Sequence, residues 1–310
     1  MTLLNVEAAL PSQTWALVRL LLSLKKSIPL DDAEAFVSPP SVVPPDKKSA
    51  SAFRAAVSTL RMLGLIHVDG DRNELSLAGR ATTLDSCDEL VAYTTVLRNA
   101  VFDADLNSDL GANDSFVGPR DLTRALAWFL THDPTEPAID GVEAEHLIDA
   151  RDGKDRGSLK PEVLPLFPNR TRWIRLNHWA PFLGLAAAPL FPRGGSAPML
   201  PDCTAAVRQT VAEQWPLGRR VNAVEALRAI RSALPVLPGG AHSLAIGIVS
   251  PGENVAGPTL SFALLRGHDE GWLRLDHDDD APHPLRVYDA DRPTSARTIS
   301  DITILEAAHG

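Results

Sequence analysis

The chain of 310 residues has an apolar fraction of 45% and a formal net charge of −9 at pH 7. This length predicts about two domains, or three small ones, with enough apolar residues to bury proper cores. The negative charge excludes a protein that coats DNA indiscriminately. The two cysteines, Cys87 and Cys203, are too far apart in sequence for a disulfide framework or an ordinary zinc site.

The first predicted element is an amphipathic helix over residues 12–30, whose apolar stretch from Trp15 is too short to span a bilayer. That stretch also lacks the features of a signal peptide, so we expect a cytoplasmic protein. A short helix follows, with Asp31 as its candidate N-cap. A third helix opening at Asp46 and a two-stranded ribbon over 65–77 complete the order typical of a winged helix.

The candidate recognition helix of this first unit carries cationic and hydroxyl side chains at its start and on its outer face. Together with an arginine in the ribbon, they are typical of phosphate contacts and modest base reading. We therefore predict nucleic-acid-binding residues at Lys47, Lys48, Ser51, Arg54 and Arg72. Residues 1–80 carry a net charge of only +1, so a partner-binding winged helix is the alternative.

The next segment is predicted to be mainly helical and acidic, with helices over 88–100, 119–130 and 139–150. Asp103 to Asp114 has the oxygen ligands of a calcium loop, but Ser108 and Asp114 stand where Gly and Glu are expected. Glu145 and Asp149 share a helix face that could hold a metal or act as an acid–base pair. A solvated acidic face is the alternative.

A basic segment follows, because residues 169–240 carry a net charge of +6. Helical spacing puts Arg172, Arg175 and Trp179 near one side and Trp173, Ile174 and Leu176 towards another. Arginine can bind phosphates or read guanine, and asparagine can read adenine. We predict nucleic-acid-binding residues at Arg170, Arg172, Arg175 and Asn177, and at Arg193 in a Pro/Gly-rich ribbon over 188–200. The alternative is an ordinary surface packed over acidic neighbours.

The C-terminal part is predicted to contain helices over 202–215 and 223–234, an ambiguous segment at 238–251, and a helix from Pro258 into a third ribbon. The tip of that ribbon carries His277, Asp278, Asp279, Asp280 and His283. We expect a solvated acidic tip that repels a phosphate backbone, because a metal site needs ligands that converge from several directions. The last residues alternate like a closing strand.

Three stretches of the chain thus share the order of helix, Gly, strand, polar tip and second strand. The predicted fold is mostly α with short β-wings, an α+β protein of tandem winged-helix (helix-turn-helix) domains. Its segments are a winged helix at 1–80, an acidic helical insert at 81–150, a basic winged-helix-like domain at 151–220 and a winged-helix-like domain with an acidic wing at 221–310.

The sequence contains no Gly-rich phosphate loop, HExxH, GxSxG or zinc-deaminase signature. We therefore predict no catalytic residue, no metal and no cofactor. Winged helices mostly bind nucleic acids or proteins, so the expected function is DNA binding or sensing without catalysis. The alternatives are a protein-interaction subunit of an SMC-like or other ATPase complex, and a transcriptional regulator.

Motifs at both ends point to a family. They read Leu3-Leu-Asn-Val-Glu, Leu10-Pro-Ser, Trp15-Ala-Leu-Val-Arg-Leu-Leu, Ala263-Leu-Leu-Arg, Asp269-Glu-Gly-Trp-Leu-Arg-Leu, Asp278-Asp-Asp-Ala-Pro and Ser300-Asp-Ile-Thr. In these motifs and in length the chain resembles the DpdG family, encoded in bacterial clusters that insert 7-deazaguanine derivatives into DNA and restrict unmodified invading DNA. The resemblance implies an accessory component of an anti-phage system whose partners are DNA and other subunits of a defence complex. It supplies no catalytic residue and does not explain the acidic segment.

Overall fold

The computed structural model describes residues 1–39, 49–112, 117–150, 153–190, 197–291 and 296–306. Its internal contacts divide the chain into two units. Unit 1 comprises Met1–Ser108 with Phe116–Leu122, and unit 2 comprises Asp109–Ser115 with Thr123–Gly310. Each combines helices with small sheets, which agrees with the predicted α+β class. The finer division into four segments stays a prediction.

Unit 1 is built from helices around one small sheet. Its helices are α1 (Pro11–Leu24), α2 (Leu30–Val37), α3 (Ser49–Met62), α4 (Leu90–Val101) and the start of α5 (Arg120–Phe129), which continues into unit 2. Its strands are β1 (Ile28–Pro29), β2 (Ile66–Asp69) and β3 (Glu74–Leu77), and a 3₁₀ turn covers Gly79–Thr83.

The sheet of unit 1 is antiparallel, with the strand order β1-β3-β2. Leu75 of β3 lies between Ile28 of β1 and Val68 of β2. Ile28, Ile66 and Leu75 are buried, so one face of the sheet completes the core. Gly64 adopts a φ of 67° where α3 turns into β2, a conformation that glycine takes without steric cost.

The core of unit 1 lies mainly between α1 and α3, through Leu17, Leu21, Phe53 and Leu60. The ring of Trp15 stacks on that of buried Tyr93 at a centroid distance of 4.8 Å. The Tyr93 hydroxyl donates to Oγ1 of Thr14 at 2.8 Å, so α4 is fixed to α1 by both ring packing and a buried hydrogen bond.

Unit 2 contains the rest of α5 and a longer series of elements. Its other helices are α6 (Gly141–Ala144), α7 (Arg170–Phe182), α8 (Thr204–Gln214), α9 (Ala223–Ala233), α10 (Ala241–Ala245) and α11 (Pro258–Asp269). A π turn covers Glu145–Asp149, and 3₁₀ turns cover Arg156–Ser158 and Pro161–Val163. Its strands are β4 (Arg220–Asn222), β5 (Leu273–Asp276), β6 (Leu285–Val287), β7 (Arg297–Ile299) and β8 (Asp301–Ile304).

The larger sheet of unit 2 has the same strand order as the sheet of unit 1. Its order is β4-β8-β5, so the first strand again pairs with the last and the last with the middle one. Thr303 of β8 faces Arg220 of β4 and Arg274 of β5. The ribbon β6-β7 is inserted between β5 and β8 as a separate two-stranded sheet. The third ribbon therefore differs from the simple hairpin that the sequence suggests, because β5 pairs with β8 and not with β6.

The ribbon expected at 188–200 is not a pair of regular strands in the described residues. Ala187 forms an isolated bridge with Leu200, and Ile139 forms another with Met199. Residues 191–196 lie outside the described part of the chain. The core beside these bridges is aromatic, with edge-to-face contacts of Phe167 to Trp128 and Trp173 at centroid distances of 5.7 and 5.4 Å.

The expected N-cap at Asp31 is wrong. Helix α2 begins at Leu30 directly after Pro29, and Asp31 lies in its first turn. Pro29 pairs with Glu74 in β1, so the chain passes from strand to helix without a separate capping residue. An acidic side chain in the first turn still favours the helix through its dipole.

Candidate nucleic-acid interface

Helix α3 presents a polar and cationic face. Its opposite face is buried through Phe53, Ala56 and Leu60. Arg54, Ser58 and Arg61 are exposed, and their spacing of four and three residues puts them on one side of the helix. They form a row of about 10 Å along the helix axis.

The tip of the β2-β3 hairpin adds another exposed arginine. Oδ1 of Asp69 accepts the main-chain N–H groups of Asp71 and Arg72 at 2.9 and 3.2 Å, which shapes the turn locally. Asn73 has a φ of 53°, a left-handed conformation that asparagine tolerates better than most residues. The side chain of Arg72 is exposed at this tip, so the hairpin can offer a guanidinium group to a ligand.

Four of the predicted contact side chains lie outside the described part of the structure. Lys47, Lys48 and Arg193 lie outside the described residues, and the side chain of Ser51 is not described although its main chain belongs to α3. Of the first unit's predicted residues, Arg54 and Arg72 are therefore the ones with a described and exposed side chain.

Helix α7 differs from the predicted arrangement of faces. Its side chains Trp173, Leu176, Trp179 and Ala180 are buried, whereas Ile174 is 45% exposed. The expectation that Trp179 shares the arginine side and that Ile174 faces inward is wrong. Of the three predicted arginines, Arg170 is exposed, whereas Arg172 and Arg175 are half-buried. The helix thus offers one exposed arginine, Arg170.

Asn177 is engaged inside unit 2. Its Nδ2 donates to the main-chain oxygen of Ala197, which also accepts the indole N–H of Trp173. Asn169 is the N-cap of the helix, and its Oδ1 accepts the N–H of Arg172 at 3.2 Å. Reading adenine with Asn177 requires the amide to leave its present partner, which makes it a weaker candidate for base reading than an exposed side chain.

Two residues of the α3 row, Ser58 and Arg61, are not among the predicted contact residues. Their signal is present in the sequence, because they stand four and seven residues after Arg54, on the face opposite Leu60. The outer edge of the sheet adds exposed His67 on β2.

In unit 2, exposed arginines of the larger sheet are neutralised by neighbouring carboxylates. Arg220 lies 2.7 Å from Asp301, and Arg274 lies 2.8 Å from Asp276. Burial alone would raise the pKa of Asp276. Hydrogen bonds from Arg274 and Thr303, and the positive charges of Arg274 and Arg220, hold that pKa below its ordinary value. This sheet therefore offers little free positive charge.

The acidic tip after β5 is exposed, as expected. Nε2 of His277 lies 2.9 Å from Oδ1 of Asp279, and its Nδ1 lies 2.9 Å from the main-chain oxygen of Thr298. Asp278, Asp279 and Asp280 face solvent. A surface with this charge repels a phosphate backbone.

The calcium interpretation of the loop from Asp103 finds no support in the described residues. Oδ1 of Asp103 accepts the N–H of Asp105, and buried Asn107 donates to the main-chain oxygens of Val101 and Asp103. Asp114, the last position of the predicted loop, is outside the described ranges. Within those ranges, no group of three or more His, Cys, Asp or Glu side chains could hold a metal ion.

The predicted helix at 139–150 is the short α6 followed by the π turn, in which Ala150 donates its N–H to the oxygen of Glu145 at 2.7 Å. Glu145 is exposed and Asp149 is half-buried. Burial raises the pKa of Asp149 to about 6, and the charge of Glu145 adds to this, although main-chain N–H groups oppose it. Oδ2 of Asp149 accepts the N–H of Phe167, whereas Oδ1 is buried without a partner in the described part of the chain.

Comparison with known proteins gives one family. A family model described as DpdG-like matches residues 1–281, which confirms the resemblance read from the sequence motifs. No curated protein and no solved structure matches the chain significantly. Among the described residues, no helix combines the length and the apolar character that crossing a membrane requires.

Proposed function

The chain belongs to the DpdG-like family, and on that premise we propose that it is a DNA-contacting accessory component of a bacterial 7-deazaguanine DNA modification and restriction system. In this proposal it acts in the cytoplasm, together with other subunits of the system and without catalysis of its own. Its DNA contact is made by unit 1, through α3 and the hairpin that follows it.

The element order of unit 1 supports a winged-helix interpretation. A helix, a strand, two helices and a hairpin follow one another, and the first strand pairs with the last. In a helix-turn-helix domain the recognition helix enters the major groove, while neighbouring elements contact the backbone. On this interpretation α3 is the recognition helix and the tip around Arg72 is the wing.

The observation that carries the proposal is the exposed row of Arg54, Ser58 and Arg61, together with Arg72. Guanidinium groups bind phosphate oxygens in a bidentate manner, and serine adds a hydrogen bond that fixes the register on the duplex. Within the described residues of unit 1, ion pairs are formed by Arg19 and Arg80, and none involves these three arginines. Their charge is therefore available to a ligand.

The test is a fluorescence anisotropy titration of the whole protein with a DNA duplex across a salt series. Three arginines that each neutralise one phosphate predict that log K falls against log salt with a slope of about −2.7. Replacing Arg54 and Arg61 by alanine is expected to reduce that slope by about 1.8 and to weaken binding at low salt.

The matched control is Arg19→Ala with Lys26→Ala, which removes the same charge from another part of unit 1. It should leave the slope unchanged. Absence of binding at low salt, or an equal loss in both double variants, would contradict the assignment to α3.

A second function, docking of another protein, is favoured by α11 of unit 2. Helix α11 precedes strand β5 as α3 precedes β2 in unit 1. The first turn of α11, however, is buried. Thr259 is buried and its hydroxyl contacts the main-chain oxygens of Leu130 and His132, both at 2.8 Å. Arg266 near its end is paired with Asp202 and Glu270. A helix held in this way suits a fixed protein surface better than a DNA groove.

This second function predicts a complex with products of neighbouring genes that forms without DNA. Co-expression followed by size-exclusion chromatography with nuclease treatment measures it. A complex that persists in the Arg54→Ala/Arg61→Ala variant supports a separate interaction surface, whereas loss on nuclease treatment assigns the association to shared DNA.

A further inference from the structure

Unit 2 contains a cleft between the segment 131–143 and the chain around Pro189, Pro198 and Pro258, which we call the proline cleft. Its volume of about 1210 Å³ exceeds the roughly 300–1,000 Å³ that is typical of small-molecule pockets. This size suits a stretch of extended polypeptide better than a metabolite.

Part of the cleft lining is apolar and stands on a fixed main chain. Ile139 and Met199 exchange two main-chain hydrogen bonds of 2.9 and 2.8 Å, which hold its two walls together. Prolines lack an N–H donor, so Pro137, Pro189 and Pro198 offer apolar surface. Val142 also lines the cleft and is 58% exposed, which leaves an apolar side chain available for contact.

One end of the cleft is fixed by His132 and Asp155. Their side chains lie 2.9 Å apart, and Asp155 also accepts the indole N–H of buried Trp128. The ring of His132 packs edge-on against that of Trp128 at 4.6 Å. This end is therefore formed before any ligand arrives, which lowers the entropic cost of binding.

The charge of the lining is strongly negative. Its carboxylates are Asp133, Glu136, Asp140, Glu143 and Asp155, whereas Lys154 is the one lysine or arginine among the described lining residues. Asp133 and Asp140 use an oxygen to accept local N–H groups. Glu136 and Glu143 are exposed and form no ion pair within the described ranges, so both can pair with an incoming cation.

We propose that the proline cleft docks an extended segment of a partner protein in which lysine or arginine alternates with apolar side chains. The apolar side chains contact Val142 and the proline walls, and the cations pair with Glu136 and Glu143. The same charge disfavours DNA, whose phosphates it repels. This inference rests on the docking function proposed above, and its test contains no DNA, so it fails or succeeds independently of the contact at α3.

The experiment uses fluorescein-labelled synthetic peptides and the whole protein. The probe is a peptide of Lys-Pro-Val repeats, and the comparison peptides carry Lys-Pro-Ser or Glu-Pro-Val repeats of the same length. We expect the Lys-Pro-Val peptide to bind at least about tenfold more tightly than either comparison peptide, because it alone supplies both charge and apolar contact.

Two pairs of variants locate the contact. Glu136→Lys with Glu143→Lys is expected to weaken binding about tenfold or more, whereas Asp279→Lys with Asp280→Lys changes the net charge equally and should leave it within about twofold. Val142→Ser should weaken binding about fivefold, and the control Val249→Ser, at a residue that is 82% exposed elsewhere, should not.

Hydrogen exchange should slow in residues 133–143 when the peptide binds. If both charge-reversal variants lose the same affinity for the peptide, or if the Lys-Pro-Ser peptide binds equally well, the peptide binds a diffuse acidic surface. Either result would overturn the proposal. Concentration-dependent dimerisation that the Val142→Ser variant abolishes would assign the cleft to a second copy of the chain and overturn it as well.

Discussion

Nε2 of His132 lies 2.9 Å from Oδ2 of Asp155, and the two side chains are 13% and 21% exposed. Nδ1 of the same ring faces the main-chain oxygen of Phe129 at 3.2 Å. The imidazole ring is therefore held between the end of α5 and the loop that carries Asp155. Trp128 donates its indole N–H to the same carboxylate oxygen, so one acidic group closes a small network at the base of the proline cleft.

Because of this network, we expect the free energy of unfolding to depend on pH in the acidic range. Burial alone would raise the pKa of Asp155, but the hydrogen bond and charge of His132 and the Trp128 indole hold it below its ordinary value. Such a carboxylate stabilises the fold above its unfolded pKa of about 3.9, and that contribution is lost as pH falls through the folded pKa. We expect Asp155→Asn to lower the free energy of unfolding at pH 7 by about 2 kcal/mol.

Urea unfolding at pH 7 and at low pH measures this effect. The difference between the wild-type protein and the Asp155→Asn variant should shrink as the carboxylate is protonated. A constant difference at both pH values would mean that packing, and not charge, accounts for the loss.

Asp149 is expected to change stability with pH in the direction opposite to Asp155. Its pKa is raised to about 6, chiefly by burial, so the folded state holds its proton more tightly than the unfolded state. The free energy of unfolding should therefore decrease as pH rises from about 4 to 6. Replacing Asp149 by asparagine keeps an oxygen that can accept the N–H of Phe167 and removes the buried charge.

The Asp149→Asn variant should be more stable than the wild-type protein at pH 7 by about 1 kcal/mol, a figure reduced to allow for solvent screening. Thermal unfolding across this pH range is the measurement. A variant that is less stable at pH 7 would show that the carboxylate is needed for the Phe167 contact, and that burial carries no net penalty.

Alanine substitutions at two glycines can distinguish the cost of backbone strain from the cost of a side-chain collision. Gly239 has a φ of 89°, and a Cβ there would lie 2.7 Å from Cζ of Arg231. Buried Arg231 donates to the main-chain oxygens of Gly252 and Val255 at 2.9 and 2.8 Å. Gly218 has a similar φ of 80°, but no atom of the described residues lies within 4 Å of its added Cβ.

We expect Gly218→Ala to cost about 1 kcal/mol through its left-handed backbone alone. Gly239→Ala should cost about 3 kcal/mol, because the guanidinium group must also move away from its carbonyl partners. Chemical unfolding of both variants measures the difference. Similar losses at the two positions would mean that Arg231 can move without losing its hydrogen bonds.

Regular helices follow from local spacing and are well predicted. The helices expected at 119–130, 202–215 and 223–234 are confirmed as Arg120–Phe129, Thr204–Gln214 and Ala223–Ala233. In α8 and α9 the buried side chains recur every three or four residues, which is a property of the segment itself. Helix α5 is instead buried on all sides from Asp121 to Phe129. The ambiguous segment at 238–251 contains the short α10, which is too brief for periodicity to identify.

Strand pairing depends on distant residues and is poorly predicted. Strand β1 has two residues, so Ile28 gives no alternating pattern, and it pairs with Leu75 far along the chain. Strand β5 pairs with β8 across the inserted ribbon, because Leu275 and Ile302 are both buried on one face. Nothing in the local sequence selects that partner over β6, whose Leu285 and Val287 are equally apolar.

The sequence pattern indicates which residue types form the candidate interface, but not which of their side chains are exposed. Arginine and serine at helical spacing indicate the α3 row, and Arg54 is found from the sequence alone. The exposure of Arg172 and Arg175 depends on how α7 packs, which two neighbouring tryptophans leave ambiguous. Trp179 is fully buried, so the helix is rotated relative to the expected arrangement.

Helices α3 and α7 differ in how far their arginines are exposed. Arg61 on α3 is exposed, whereas Arg172 on α7 is half-buried against its own unit. A phosphate contact needs a guanidinium group that can approach the duplex without losing its present packing. We therefore expect Arg61→Ala to weaken DNA binding at low salt by about three- to tenfold and to lower the salt slope by about 0.9. Arg172→Ala should change binding by less than about twofold, and unfolding measurements should establish that both variants remain folded. A larger effect of Arg172→Ala would transfer the DNA contact from unit 1 to the basic segment of unit 2.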